Sequence, residues 1–149
     1  SLAPGVMGQT GIETLEIIQG IQQKIRSDAI ILIDALAAGN TRRINATIQL
    51  TDTGVCPGSG IGNRRQTLSP KTLGVPVAAI GIPTVVDART IILEAVPEAS
   101  RESLSAIDSL YVTPKDMDAV AKRLARILAD GLNRYLHDLS SEEFRSYLY

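Results

Sequence analysis

The stretch 29-AIILI-33 decides the fold, because five apolar residues follow one another without a polar break between Asp28 and Asp34. A continuous apolar run of this length is typical of a strand buried on both faces, as in parallel sheets. We therefore predict a central, parallel strand that ends at Asp34, in a sheet with helices on both faces.

A helix is predicted before this strand. The four residues TGIE at 10–13 have the form of a capping box, so we expect the helix to begin there. Apolar side chains then recur at helical spacing, which predicts one buried face. They are Ile12, Leu15, Ile18, Ile21 and Ile25.

Two more strands and a long loop are predicted after it. Apolar and polar residues alternate strictly over 44–51, which indicates a strand with one solvated face. Four glycines within 52–63 predict a shaped loop. The apolar run 75–82 predicts another buried strand, which we expect Pro83 to end.

The remaining pattern is helical. Residues 88–93 lie between Asp87 and Pro97, which predicts a short helix. A longer helix is expected to begin with Thr113 as its cap and Pro114 at its first position, and to bury an apolar stripe.

The order of these elements predicts α/β architecture. One helix, three strands and two helices suit a three-layer α/β/α sandwich with a mixed, largely parallel sheet. With 149 residues, a single domain over 1–149 is expected. Because the sequence opens on Ser1 without an initiator methionine, we expect this domain to be incomplete at its N-terminal side.

Composition disfavours several classes of protein. Lys plus Arg total 15 and Asp plus Glu total 16, so neither a nucleic-acid partner nor a membrane surface is expected. No apolar run approaches the roughly 18 residues of a membrane span, which predicts a soluble, intracellular protein. The single cysteine, Cys56, fits a reducing, cytosolic compartment. Cys56 and His137 are alone of their kinds, which disfavours a zinc site and a Ser or Cys hydrolase triad. No metal or cofactor is expected.

Three aspartates follow the predicted strands, where the active sites of α/β proteins gather. Asp34 follows the most apolar run and is either a catalytic acid or a cap of the turn into Ala35, and both interpretations stay open. Asp87 directly precedes a helix, where an N-cap is the usual role and support of a cleft is the alternative.

The third acid belongs to the triplet Asp52-Thr53-Gly54, the short signature of pepsin-like and retroviral aspartic proteases. Val55 stands where those proteins usually have Ser or Thr, and the predicted helices contradict an all-β protein. We therefore interpret Asp52 and Thr53 as residues that organise the loop or line a cleft, with catalysis the minority interpretation. The other residues expected to shape this cleft are Gly54, Gly58, Ser59 and Gly60.

Five segments together resemble the spore germination protease family, a group of atypical aspartic peptidases. They are SLAPGVMGQTGIET at 1–14, IDALAA at 33–38, TIQLTDTGVCPGSGIGNRR at 47–65, TLGVPVAAIGIPTVVDA at 72–88 and VTPKDMD at 112–118. The resemblance covers residues 1–88 and 112–137, and the connection 94–110 is shorter than in many members of the family.

The resemblance implies an endopeptidase that degrades small acid-soluble spore proteins during germination, in the cytoplasm of the forespore or spore core. Members of this family are zymogens that lose a short N-terminal piece by self-cleavage, assemble as homotetramers and are similar to the hydrogenase-maturation endopeptidases. Two acids are essential in the family, and the one in the IDALAA motif corresponds to Asp34. Its partner is expected upstream of residue 1, in a missing N-terminal segment or a second chain.

Two other functions stay open. A catalytically inactive, sporulation-associated binding protein is possible on the same fold, since a shared fold does not guarantee activity. A metal-dependent peptidase on this scaffold would draw on the carboxylates of Asp34, Asp52 and Asp87, although their spacing matches no metal-binding motif.

Overall fold

The computed structural model describes residues 1–58, 66–100, 104–107 and 110–146. They belong to two compact units, Ser1–Thr113 and Pro114–Tyr149. The first unit contains the sheet, and the second contains two helices. Over the described ranges, no helix has both the length and the apolar content that crossing a membrane requires.

The first unit begins with helices α1 and α2 and continues with alternating strands and short helices. In chain order its described elements are α1 (Met7–Thr10), α2 (Thr14–Ile25), β1 (Ile30–Ala38), β2 (Gln49–Thr51), α3 (Pro70–Leu73), β3 (Val77–Asp87), α4 (Ala88–Ala95) and β4 (Tyr111–Val112). Short 3₁₀ turns lie at Thr41–Arg43 and Ser105–Ile107. The second unit contains α5 (Met117–Leu136) and α6 (Ser141–Ser146).

The strands form one mixed sheet with β3 at its centre. β1 pairs with β3 in parallel, whereas β2 and β4 pair with β3 antiparallel. An α/β fold with a mixed, partly parallel sheet is therefore confirmed. The prediction that β1 is central is wrong for the described strands, because β1 has β3 on one side and no described strand on the other.

Two strands are longer than predicted. β1 does not end at Asp34 but continues to Ala38, because the whole segment pairs with β3. β3 does not end at Pro83, although proline has no N–H to donate to a ladder. The pairing changes register beside this proline, between Leu36 and Ala37, and such an irregularity lets a strand pass through proline.

β2 is shorter than predicted. Of the alternating segment 44–51, only Gln49–Thr51 joins the ladder with β3. Asn45 has φ +56, a left-handed conformation that interrupts an extended strand. Its N–H donates to the carbonyl oxygen of Pro83 at 2.8 Å, so this segment is tied to β3 by a single bond and not by a ladder.

The core of the first unit lies between one face of the sheet and the helices α2 and α3. Leu32 of β1 and Ala79 of β3 pack with Leu15 of α2 and Leu73 of α3. Side chains alternate along a strand, so Asp34 lies on the same face of β1 as Leu32. Packing of Leu32 against the helices therefore fixes which face of the sheet carries this carboxylate.

The opposite face of the sheet carries apolar side chains that remain accessible. Ile33 of β1 and Leu50 of β2 flank Ile80 in register. Ile33 is 56% exposed and Leu50 is 74% exposed. One helical layer is thus present around Leu32, and the second layer of the predicted sandwich stays a proposal.

Both long helices begin later than predicted. Gly11 has φ +69 and ends α1, which separates Thr10 from the next helix. α2 therefore begins at Thr14, and the predicted capping box is not formed. α5 begins at Met117 after Asp116, so the predicted cap at Thr113 is wrong.

A two-residue bridge closes the base of the glycine-rich loop. The N–H of Val55 donates to Leu68 O at 2.9 Å, and the N–H of Leu68 donates to Val55 O at 2.8 Å. The neighbouring Gly54 has φ +96, and a Cβ at this position would lie 2.0 Å from Leu68 O. Glycine is therefore required here for both its conformation and its small size.

Asp87 caps the start of α4, as predicted. Its Oδ1 accepts a hydrogen bond from the N–H of Arg89 at 2.8 Å, and its Oδ2 lies 2.9 Å from Nη2 of the same arginine. The side-chain hydrogen bond from Arg89 lowers the pKa of Asp87 below its ordinary 3.8, against the opposing effect of burial. The ionised carboxylate therefore stabilises the start of α4.

Gly54→Ala should destabilise the complete protein by at least about 2 kcal/mol, because it combines a disfavoured φ with a backbone clash. Gly20→Ala is the matched control, since Gly20 lies exposed in α2 with nothing within 4 Å of an added Cβ. It should be neutral or stabilise by up to about 1 kcal/mol. Urea unfolding measures the free energy of unfolding of both variants. An equal change in the two variants would contradict the close approach of Gly54 to the backbone of Leu68.

Asp87→Asn should lower stability in a pH-dependent way, because it keeps a capping oxygen and removes the charge paired with Arg89. The pKa of Asp87 is lower in the folded state than its ordinary value of 3.8. The ionised carboxylate therefore contributes its full stability above about pH 4 and loses this contribution as the pH falls through the folded-state pKa. The variant should therefore unfold at lower urea concentration than the wild type at pH 7, and the difference should shrink below about pH 4. A difference that does not depend on pH would contradict the ion pair.

Candidate functional site

A large cleft runs along β1. Its volume is about 990 Å³, and every residue from Ile30 to Ala37 contributes to its lining. The opposing walls are mainly apolar and come from the N-terminal segment, α2 and the start of the glycine-rich loop. Their principal side chains are Leu2, Val6, Ile18, Ile21, Ile25 and Val55.

Asp34 provides the one charged side chain among the described residues that line this cleft. It pairs with Gly81 of β3 in the parallel register. Its Oδ1 accepts a hydrogen bond from the N–H of Ala35 at 2.9 Å, and its Oδ2 is buried. Because β1 continues through this residue, Asp34 does not cap a turn, and that alternative interpretation is wrong.

The surroundings of Asp34 strengthen its electrostatic interactions. Apolar walls lower the local dielectric response, so a carboxylate interacts more strongly with a neighbouring proton, dipole or charge than it does in water. Leu32 and Leu36, which precede and follow Asp34 on the same face of β1, are both part of the lining. Among the described residues, the lining of the cleft is thus mainly apolar with one anionic side chain, and the cleft is large enough for several residues of a peptide.

Gly81 makes room beside Asp34, a feature that the sequence reasoning missed. A Cβ on Gly81 would lie 2.2 Å from Cδ1 of Leu36, so the leucine side chain occupies the space left by the glycine. Leu36 is also part of the cleft wall. A glycine inside a buried strand is a known signal of close approach, and it could have indicated this position.

Asp52 and Thr53 lie away from this cleft. Asp52 lines a separate depression of about 510 Å³ together with Pro70 and residues 74–77. Because β2 runs antiparallel to β3, the carboxyl end of β2 lies at the edge of the sheet away from the carboxyl ends of β1 and β3. The three aspartates expected to gather at one edge therefore do not come together. The hydroxyl of Thr53 lies 2.8 Å from that of Thr51 and shares a hydrogen bond with it.

The glycine-rich loop contributes its first residues to the cleft. Residues 55–58 line the cleft, and Gly58 has φ +72. Gly54 holds the base of the loop through its close contact with Leu68. Ser59 and Gly60, which were predicted to shape the cleft, lie outside the described residues.

Asp87 does not contribute to the lining of either depression. Its carboxylate is engaged with Arg89 at the start of α4. Across the part of the chain that the structure describes, no three residues among His, Cys, Asp and Glu come together as a group able to hold a metal ion. The three aspartates are therefore in separate surroundings, and Asp34 alone among them borders the large cleft.

The family comparison agrees with the motifs. The model of the germination protease family matches residues 1–99, which include Asp34 and the whole described lining of the large cleft. A germination protease of Clostridium acetobutylicum is 47% identical over 163 aligned positions, which cover 89% of this chain and 50% of that protein.

Two further germination proteases show the same relation. The protein of Clostridium tetani is 40% identical, with 99% of this chain and 55% of that protein covered. The protein of Bacillus subtilis is 37% identical over 203 aligned positions, with 96% and 55% covered. Because 203 positions exceed the 149 residues of this chain, that relative contains residues that this chain lacks within the aligned region.

This chain spans about half the length of these curated relatives. The identities of 37–47% nevertheless extend over most of its residues. Together with the family match over residues 1–99, they confirm the resemblance carried by the five sequence motifs. The chain therefore belongs to the germination protease family.

Proposed function

We propose that the complete protein containing this chain is an endopeptidase that begins the degradation of small acid-soluble spore proteins during germination. The observation that carries the proposal is Asp34, a half-buried carboxylate and the one charged side chain in the described lining of the large cleft. Membership of the germination protease family supports peptide hydrolysis as the reaction. In this proposal the reaction uses paired carboxylates and needs neither a metal nor a cofactor.

Hydrolysis by paired carboxylates requires two different protonation states. One ionised carboxylate takes a proton from water, and the resulting hydroxide forms a bond to the carbonyl carbon of the peptide. The other, protonated carboxyl donates a hydrogen bond to the carbonyl oxygen, where negative charge develops. Breaking the C–N bond then requires a proton on the leaving nitrogen, which the acid formed in the first step supplies. Asp34 provides one of these two groups.

The second acid is proposed to come from outside these 149 residues. Asp52 and Asp87 are the other predicted candidates, and neither lines the cleft beside Asp34. Asp87 is held by Arg89, and Asp52 lies beyond the end of an antiparallel strand. A carboxylate from an N-terminal segment or from a second chain would complete the pair.

The shape of the cleft suits an extended polypeptide. Eight consecutive residues of β1, Ile30 to Ala37, line it, and a strand rises about 3.3 Å per residue. The cleft can therefore accommodate several residues on either side of a scissile bond. In this proposal Gly54, Gly58 and the adjoining loop shape the cleft, whereas Asp52, Thr53 and Asp87 support the surrounding frame.

Several properties are proposed for the complete protein from its family alone. These are synthesis as a zymogen, assembly as a homotetramer and action in the cytoplasm of the forespore or spore core. A three-layer sandwich like that of the hydrogenase-maturation endopeptidases is proposed as the complete fold. The accessible apolar residues Ile33 and Leu50 support further layers, because large apolar side chains on a sheet face favour burial.

Asp34→Asn in the complete, active protein should lower kcat/KM for a spore-protein substrate at least about 100-fold, because asparagine can neither accept nor donate the required proton. The fold and the oligomeric state should be unchanged. Asp28→Asn is the matched control, since Asp28 is exposed just before β1 and does not line the cleft. Near-normal turnover by Asp34→Asn would exclude the proposed role of Asp34. If the wild-type protein itself binds the substrate but does not cleave it, the binding-protein alternative is favoured.

Removal of metal ions should leave the reaction unchanged. Prolonged dialysis of the complete protein against EDTA, followed by assay in metal-free buffer, should retain its kcat and KM within about twofold, since paired carboxylates activate water without a metal. Loss of activity that Zn²⁺ or Mn²⁺ restores would favour the metal-dependent alternative.

A further inference from the structure

An irregularity in β3 brings an additional polar residue to the cleft. Leu36 pairs with Pro83 and Ala37 pairs with Val85, so Thr84 is an extra residue with no partner on β1. Such β-bulges change the direction in which a side chain points and are common beside active sites. Thr84 and Val85 both line the cleft that contains Asp34.

The backbone at this bulge is held from two sides. The carbonyl oxygen of Pro83 accepts a hydrogen bond from the N–H of Asn45 at 2.8 Å. The carbonyl oxygen of Thr84 accepts one from the hydroxyl of Thr113 at 2.9 Å. Pro83 is also fully buried, and its ring restricts the backbone. Thr84 is therefore fixed in place by its surroundings before any ligand binds.

The side chain of Thr84 has unused hydrogen-bonding capacity. Its hydroxyl makes no hydrogen bond to any residue that the structure describes, although its carbonyl oxygen does. The nearby part of the cleft lining is apolar and includes Ala35, Leu36 and Val85. A hydroxyl in an apolar wall offers one donor and acceptors to a polar group that enters the cleft.

We propose that Thr84 is a substrate-positioning residue whose hydroxyl hydrogen-bonds the backbone of a bound peptide. This inference rests on the proposed peptidase function. Asp34 pairs with Gly81, three residues before Thr84 on β3. At about 3.3 Å per residue, Thr84 lies roughly 10 Å further along the strand. Its contact therefore falls two or three residues from the scissile bond, on one side of it.

The test compares peptide substrates of different lengths in the complete, active protein. Thr84→Val, which replaces the hydroxyl by a methyl group of similar size, should lower kcat/KM for a long peptide about 3- to 10-fold, as expected for one hydrogen bond. A peptide shortened by three residues at one end, on the side that reaches Thr84, should be cleaved equally by both proteins. A peptide shortened at the other end should retain the defect.

Two variants separate positioning from packing. Thr84→Ser keeps the hydroxyl and should restore most of the activity on the long peptide. Thr90→Val makes the same substitution in α4, at a half-buried threonine outside the cleft lining, and should have no effect. A Thr84→Val protein with wild-type kcat/KM on the long peptide, or with the same defect on every peptide, would overturn the inference.

The Asp34→Asn protein distinguishes failure of this inference from failure of the proposed function. If Asp34→Asn is inactive and Thr84→Val cleaves the long peptide normally, only the role of Thr84 is wrong. If Asp34→Asn remains active, the proposed centre itself is wrong, and the inference about Thr84 fails with it.

Discussion

Parallel pairing between β1 and β3 is the constraint on which the rest of the first unit depends. The ladder extends from Ile30↔Val77 to Ala38↔Val86 and places Asp34 opposite Gly81. Leu32 is buried in the core with α2 and α3, so a slip of one residue would expose it and turn Asp34 to the other face. Burial of an apolar side chain thus sets the orientation of the proposed catalytic carboxylate.

The same ladder also determines which other residues line the cleft along β1. β3 tolerates Pro83 because its pairing with β1 changes register there, and that change adds Thr84 to the cleft. Gly81 leaves room that Leu36 fills beside Asp34. Regular pairing therefore positions Asp34 in the cleft lining, and the departure from regular pairing adds Thr84 to it. This agrees with the general tendency of functional sites to break local rules of sequence and structure.

Local patterns in the sequence predicted some elements well and others poorly. The cap of α4 at Asp87 follows from an aspartate before a helical segment, and the structure confirms it. The predicted end of β1 at Asp34 is wrong because 35-ALAA-38 consists of residues that favour helices. Pairing with β3 keeps these residues extended to Ala38. A capping box does form at Ser140 and Glu143, before α6, and it has the same sequence pattern as the box wrongly predicted at Thr10.

The candidate site was predictable in part. Position after an apolar run and resemblance to the family both singled out Asp34, but nothing local in the sequence could indicate that β2 runs antiparallel and separates Asp52 from it. The contribution of Thr84 depends on a register change between strands distant in sequence, which periodicity does not reveal. Long-range pairing therefore determines which predicted residues share a cleft.

The most direct measurement is a crystal structure of the complete protein with a peptide whose scissile bond is replaced by a tetrahedral hydroxyl-bearing group. If Asp34 is one of the paired acids, this hydroxyl should lie about 2.6–3.2 Å from a carboxyl oxygen of Asp34, with a second carboxyl group on its other side. A peptide bound elsewhere, or an Asp34 carboxylate that has no contact with the tetrahedral group, would contradict this role of Asp34.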